Sequence, residues 1–221
     1  MIRRPPRSTL SSSSAASDVY KRQHMNSAVK KLIILQSLLL IGCSSQNLVI
    51  DTFIPKPLVK MNENITAKLT LDEQIKNFIF SPEELQKREA SIEINFGNTQ
   101  EKLFENIFSS FFKLNNTETI PNPETKIILI DIKLDKFEYL TPQVAANQKY
   151  SVWFKYNIFI KDSNDQLLDN WVVTGYGEQE TGVFQGDEAF KRAIRIALRD
   201  TGANLSIKTQ DEIENITNMI G

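Results

Sequence analysis

The sequence predicts an α+β fold: a mostly antiparallel sheet of four to five strands with two amphipathic helices packed on one face. Three observations predict it. Two segments, one central and one terminal, repeat apolar residues at i, i+3, i+4 and i+7. Three long segments between them alternate apolar and polar residues, the period of half-buried strands. Short polar links join those three, which makes consecutive strands neighbours in an antiparallel meander.

The elements follow in order. Residues 65–71 place Ile65, Ala67, Leu69 and Leu71 on one face of a strand and Thr66, Lys68 and Thr70 on the other. Residues 75–80 suggest a second short extended piece, and Ser81-Pro82-Glu83-Glu84 carries a helix-start signature. Residues 91–96 alternate again and stop at Gly97. The spacing then predicts a helix over 98–114, capped by Asn98 or Thr99, with Leu103, Phe104, Ile107, Phe108, Phe111, Phe112 and Leu114 on its apolar stripe. The meander strands are 126–139, with Ile128, Ile130, Ile132 and Leu134 on one face; 149–161, with Val152, Phe154, Tyr156, Ile158 and Ile160; and 167–176. Asp162-Ser163-Asn164-Asp165 is turn chemistry. A last helix opens near Asp187 and runs toward Met219. Ala193 and Ala197 on its stripe let its backbone lie close to the sheet, and Gly202 is a weak point costing up to about 1 kcal/mol against alanine.

Ahead of the fold, Lys30 and Lys31 precede an apolar run of ten residues, 32–41. A membrane span needs about twenty apolar residues, so this run reads as a cleaved signal. Leu40-Ile41-Gly42-Cys43 resembles the lipobox of bacterial lipoproteins, which implies removal of the preceding peptide and acylation of the Cys43 thiol, a palmitate-type anchor. Ser44 stands where many Gram-negative lipoproteins retained at the inner membrane carry aspartate. The resemblance therefore implies the outer membrane, periplasmic face. The chain divides into 1–24, a disordered leader or a stretch that resembles translated sequencing adapter; 25–42, the signal; 43–63, a tether; and 64–221, a single α+β domain.

Of 26 basic and 27 acidic residues, seven and one lie in 1–42, leaving residues 43–221 with 19 and 26 and a net charge of −7. An acidic domain is a poor nucleic-acid binder, because affinity there rests on neutralised phosphates. His24 and Cys43 are the only histidine and the only cysteine, and neither belongs to the domain. That excludes Ser-His-Asp and Cys-His catalysis and His/Cys zinc sites within it. We expect no enzyme, no catalytic residue, no metal and no cofactor. Glu178, Glu180, Asp187 and Glu188 read as a helix-dipole complement and a solvated loop. Gly175-Tyr176-Gly177 lacks the full spacing of a phosphate or dinucleotide loop, and Gly175 reads as a bulge or a strand end.

Helices on one face leave the other side of the sheet for a partner. Trp153, Phe159 and Trp171 are the candidate partner surface, with the loop 141–148 as a second contact. The competing expectation is that the tether folds Phe53 and Ile54 over the aromatic face. Phe96-Gly97 leading into the first helix, the meander, and Gly182-Val183-Phe184 leading into the last helix together resemble the YajG-like outer-membrane lipoproteins. More loosely they resemble the small αβ domains of CsgG-, LpoB- and TolB-type periplasmic proteins. The resemblance implies a non-catalytic envelope lipoprotein, anchored to the membrane through acylated Cys43, that acts as a binding or accessory module for an envelope protein or a cell-wall component. The alternative is a carrier or chaperone for an apolar ligand such as lipid, in a cavity lined by Leu103, Phe104, Ile107, Phe108 and Phe111.

Overall fold

The computed structural model describes residues 46–50, 53–80, 92–115, 125–182 and 186–220. Cys43 with its lipobox and signal, the helix start at Ser81 and the sequence Val183-Phe184 lie outside the described residues. The strands are β1 (Gln46–Val49), β2 (Asn62–Leu71), β3 (Ile79–Phe80), β4 (Ile92–Asn95), β5 (Phe112–Leu114), β6 (Lys126–Leu140), β7 (Lys149–Asp162) and β8 (Leu167–Glu180). The helices are α1 (Glu73–Lys76), α2 (Gly97–Phe111) and α3 (Gly186–Met219). The main sheet runs β5-β2-β6-β7-β8 and a small one runs β1-β4-β3. The fold is α+β, and the main sheet is antiparallel across β6-β7-β8 and parallel where β2 meets β5 and β6.

The period-two reading holds along the meander. Val152, Phe154, Tyr156, Ile158 and Ile160 are all buried against the helices, as are Ile128, Ile130 and Ile132 of β6. A bulge between Leu134 and Lys136 then shifts the alternation by one residue. It turns Phe137 and Tyr139 onto the helix side, where Phe137 lies 5.0 Å from Phe154 and Tyr139 lies 5.5 Å from Phe190 of α3. Phe78, Phe80 and Phe96 pack on the same rings, which joins the small sheet to the large one. In the turn after β7, Asp162 Oδ1 accepts the amides of Asn164 and Gln166 at 2.8 Å each, and Asp165 takes φ 65°.

The α2 stripe is buried as expected, but the helix begins and ends earlier. A Cβ at Gly97 would stand 2.1 Å from the carbonyl oxygen of Lys76, so only glycine fits where α2 abuts α1. Thr99 is not a cap: it is buried, and its hydroxyl donates to the Ile50 carbonyl. At the other end Phe112 turns extended and β5 pairs with β2 at Thr66 and Ala67, which takes residues 112–114 out of the helix.

Within the segment read as a tether, β1, Ile50 and Ile54 are docked on the fold. β1 pairs in parallel with β4, and the Ile50 amide donates to Asn95 O at 2.9 Å. Asn106 Nδ2 of α2 donates to Ile54 O at 3.2 Å. Ile54 is buried near Gly202 of α3, while Phe53 is 83% exposed. The expectation that Phe53 and Ile54 cover the far face of the sheet is therefore overturned, because the apolar target they meet is the α2–α3 layer.

The free edge of β8 is closed by α3. Asp200 Oδ2 accepts the Tyr176 amide at 2.9 Å, and Asn204 Nδ2 donates to Thr174 O at 2.9 Å. An open strand edge is a template for pairing with another chain. We expect Asp200→Ala with Asn204→Ala to raise self-association at least several-fold relative to the parent chain, with little loss of helix. Sedimentation equilibrium checks this, and an unchanged association constant would show that the edge is protected by something else.

Candidate functional site

The outer face of the meander, away from the helices, is built by residues that alternate with the core. From β7 it receives Trp153, Lys155, Asn157 and Phe159, all half-buried. Trp171 is not part of it. It pairs with Ile158 and is only 1% exposed, its indole Nε1 donates to Asp169 Oδ2 at 2.6 Å, and the Lys208 ammonium of α3 stands 5.9 Å from its ring. The partner-surface assignment of Trp171 is thus corrected: in β8 the odd-numbered Trp171, Val173, Gly175 and Gly177 face the helices.

The outward residues of β8 are Val172, Thr174, Tyr176 and Glu178. Tyr176, missed in the sequence, takes the place expected of Trp171. Its ring lies 5.1 Å from Trp153 with the planes 39° apart, a tilted aromatic pair. Its hydroxyl donates to Glu178 Oε2 at 2.7 Å, and Glu178 Oε1 accepts from Lys149 at 2.7 Å. Beside the pair lies a groove of about 750 Å³ lined by Lys136, Glu138, Leu140, Trp153, Lys155 and Thr174 among others. Phe159 stands apart. It lies six positions along β7 from Trp153, roughly 20 Å, with the Lys133 ammonium 5.6 Å from its ring. The structure therefore unites Trp153 with Tyr176 and leaves Phe159 apart from them.

The charges around these rings pair with one another: Lys136 with Glu138 at 2.6 Å, Lys155 with Asp135 at 2.7 Å, and Lys161 with Asp131 and Asp165 at 2.8 Å each. Hydrogen bonding and the charge of Glu178 raise the Lys149 ammonium above its ordinary value, and hydrogen bonds from Lys149 and Tyr176 hold the Glu178 carboxyl below the usual range. The carboxylates of Asp131 and Asp165 likewise raise Lys161. Exposed pairs of this kind add little stability. Their effect is a face whose charges are already neutralised around an aromatic centre.

In the β8–α3 turn, Glu188 also has a cation partner. Glu188 accepts from Lys191 at 2.8 Å, and that bond holds its carboxyl below the usual range. Among the described residues no three His, Cys, Asp or Glu side chains form a group that could hold a metal, and no helix is long and apolar enough to cross a membrane. Gly175 marks neither a bulge nor a strand end: β8 runs through it, and both Gly175 and Gly177 face α3. On the helix side, Leu103, Phe104, Ile107, Phe108 and Phe111 are each at most 2% exposed. Phe104 meets Tyr156 edge-on at 5.1 Å, and a Cβ at Gly202 would stand 2.9 Å from Leu103. Such close packing weighs against a lipid cavity between α2 and the sheet.

No family model and no curated protein matches this chain. The fold is one that solved structures share. A protein from Xanthomonas campestris of the family DUF330 superposes with a TM-score of 0.50 at 13% identity, over 76% of this chain and 99% of that one. A hypothetical protein from Chlamydia trachomatis matches with a TM-score of 0.41 at 9% identity, over 68% of this chain and 97% of that one. A minor lipoprotein from Acinetobacter baumannii matches with a TM-score of 0.37 at 10% identity, over 66% of this chain and 93% of that one. The first of these shows a common α+β fold.

Proposed function

We propose that the chain is a non-catalytic lipoprotein of the bacterial envelope, anchored in the outer membrane at its periplasmic face through acylated Cys43, and that the Trp153–Tyr176 face is its binding surface. The observation that carries the reading is the union, in one chain, of Leu40-Ile41-Gly42-Cys43 with a domain that presents a tilted aromatic pair beside a groove on the face opposite its helices. The absence of histidine and of a second cysteine from residues 43–221 supports a binding role over a catalytic one. The mutually paired charges of the face suit a partner with little net charge. Buried aromatic anchors carry most of the energy in interfaces of this kind.

One experiment tests both halves. Cys43→Ala should abolish incorporation of labelled palmitate and release the protein from membranes. Trp153→Ala with Tyr176→Ala should leave labelling intact and weaken crosslinking to the envelope partner at least about ten-fold, as expected when anchors worth about 1–2 kcal/mol each are lost. Undiminished labelling of the first variant would refute the anchor, and undiminished crosslinking of the second would refute the surface.

A further inference from the structure

The sequence leaves about twenty residues, 43–63, between the acylation site and the domain. A free tether of that length spans up to roughly 70 Å, enough to carry the domain far from the bilayer. The structure removes most of that length. Gln46–Val49 are paired residue for residue with β4. Ile50 is fully buried and its amide and carbonyl are both hydrogen bonded, to Asn95 O and to the Thr99 hydroxyl. Ile54 is 5% exposed and its carbonyl accepts from Asn106. Between Cys43 and the first paired residue stand only Ser44 and Ser45. Three Cα steps reach about 10 Å.

We infer that docking of Gln46–Val49 and Ile50 onto β4 and α2, and of Ile54 onto α2, turns a long tether into a leash of two serines, so that the domain is held against the bilayer and its partner is one that lies at the membrane surface. This rests on the lipid anchor proposed above. The net charge of −7 on residues 43–221 sharpens the argument. An anionic membrane repels such a domain, so what keeps it at the surface is the shortness of the leash and not affinity for lipid head groups. Lengthening the leash should let the domain leave.

The test uses the mature diacylated protein, residues 43–221, its acylation confirmed by mass, in vesicles of phosphatidylcholine with phosphatidylglycerol. With Cys43 acylated, Val144→Cys (Val144 is 61% exposed) supplies the one thiol for a donor dye, and the acceptor is a head-group-labelled lipid. Insertion of about twenty Gly/Ser residues between Ser45 and Gln46 adds a coil of roughly 25 Å root-mean-square length. Energy transfer is expected to fall at least two-fold on insertion, and the Ile50 amide is expected to exchange slowly in both proteins. Equal transfer from the parent and the extended protein would overturn the inference, as would fast exchange at Ile50. A protein that carries no acyl group and does not bind vesicles at all would instead sink the anchor reading.

Discussion

Valine at Gly177 is expected to cost the domain about 3 kcal/mol or more, and alanine there more than about 1.5 kcal/mol. A Cβ at this position would stand 2.1 Å from the Ala193 carbonyl oxygen and 2.4 Å from the Ala197 nitrogen. At Gly175 it would stand 1.9 Å from Thr201 Oγ1 and 2.3 Å from Ala197 O. Most of these are backbone atoms of a helix, which no rotamer change moves aside. α3 would have to lift from β8 as a body. Overpacking costs typically 1–3 kcal/mol and sometimes more, and a displaced helix has further losses to add. Lifting α3 loosens the contacts of Phe190, Ala193, Ile194 and Ala197, all at most 1% exposed. It also withdraws Asp200 and Asn204 from the β8 edge. Urea denaturation with an unchanged slope measures the cost. Gly186→Ala is the control: its Cβ would meet only the end of the Tyr150 side chain, the oxygen at 3.1 Å and Cζ at 3.9 Å, and we expect a change under about 1 kcal/mol. A Gly177→Ala protein as stable as the parent would show that α3 does not sit as close as the structure places it.

Those glycines also show which parts of the molecule were legible in the sequence. Period-two alternation is a direct record of burial where each neighbour differs in polarity, as in Phe154-Lys155-Tyr156-Asn157-Ile158, and that face was readable. In Trp171-Val172-Val173 both faces carry apolar residues, so alternation loses its information and Trp171 could not be placed. The deciding signal lay further on: glycines two apart in a strand, matched by alanines four apart in the following helix, mark the side on which a helix backbone touches a sheet. Reading Gly175-Tyr176-Gly177 as that contact would have sent Trp171 inward and Tyr176 outward beside Trp153. The bulge before Lys136 was hidden for a different reason. It inserts one residue into a strand whose flanks are polar on both sides, Asp135 and Lys136, and only pairing with β7 reveals it. Docking of Ile50 and Ile54 depends on partners some fifty residues away, Thr99 and Asn106, which no local pattern encodes.

Gln100→Leu and Tyr156→Phe are each expected to destabilise the domain, by about 2–3 and about 1–2 kcal/mol respectively, and together by clearly less than the sum. Gln100 occupies a stripe position of α2, one turn before Leu103 and Phe104, and is fully buried. Its side chain is the polar link in an apolar layer: Oε1 accepts from the Tyr156 hydroxyl at 2.5 Å, and Nε2 donates to Ile75 O at 3.4 Å. Leucine there strands both the phenol and the α1 carbonyl, and stranded buried groups cost about 1–3 kcal/mol each. Phenylalanine at 156 strands only the amide oxygen, so its penalty is smaller. When both are replaced, the phenol and the amide vanish together and only the Ile75 carbonyl is left without its donor. The shortfall from additivity, about 1 kcal/mol or more, measures the coupling. A second readout comes from alkali. Burial raises the Tyr156 phenol well above its ordinary value, so the folded chain keeps that proton where the unfolded chain releases it. Stability from this group is present below about pH 10, the ordinary tyrosine value, and is lost as pH rises from there toward the raised value. Tyr156→Phe should remove that component of the alkaline decline and leave the rest. Strict additivity of the two substitutions, or an alkaline profile that Tyr156→Phe does not alter, would show that the two side chains do not form one buried unit.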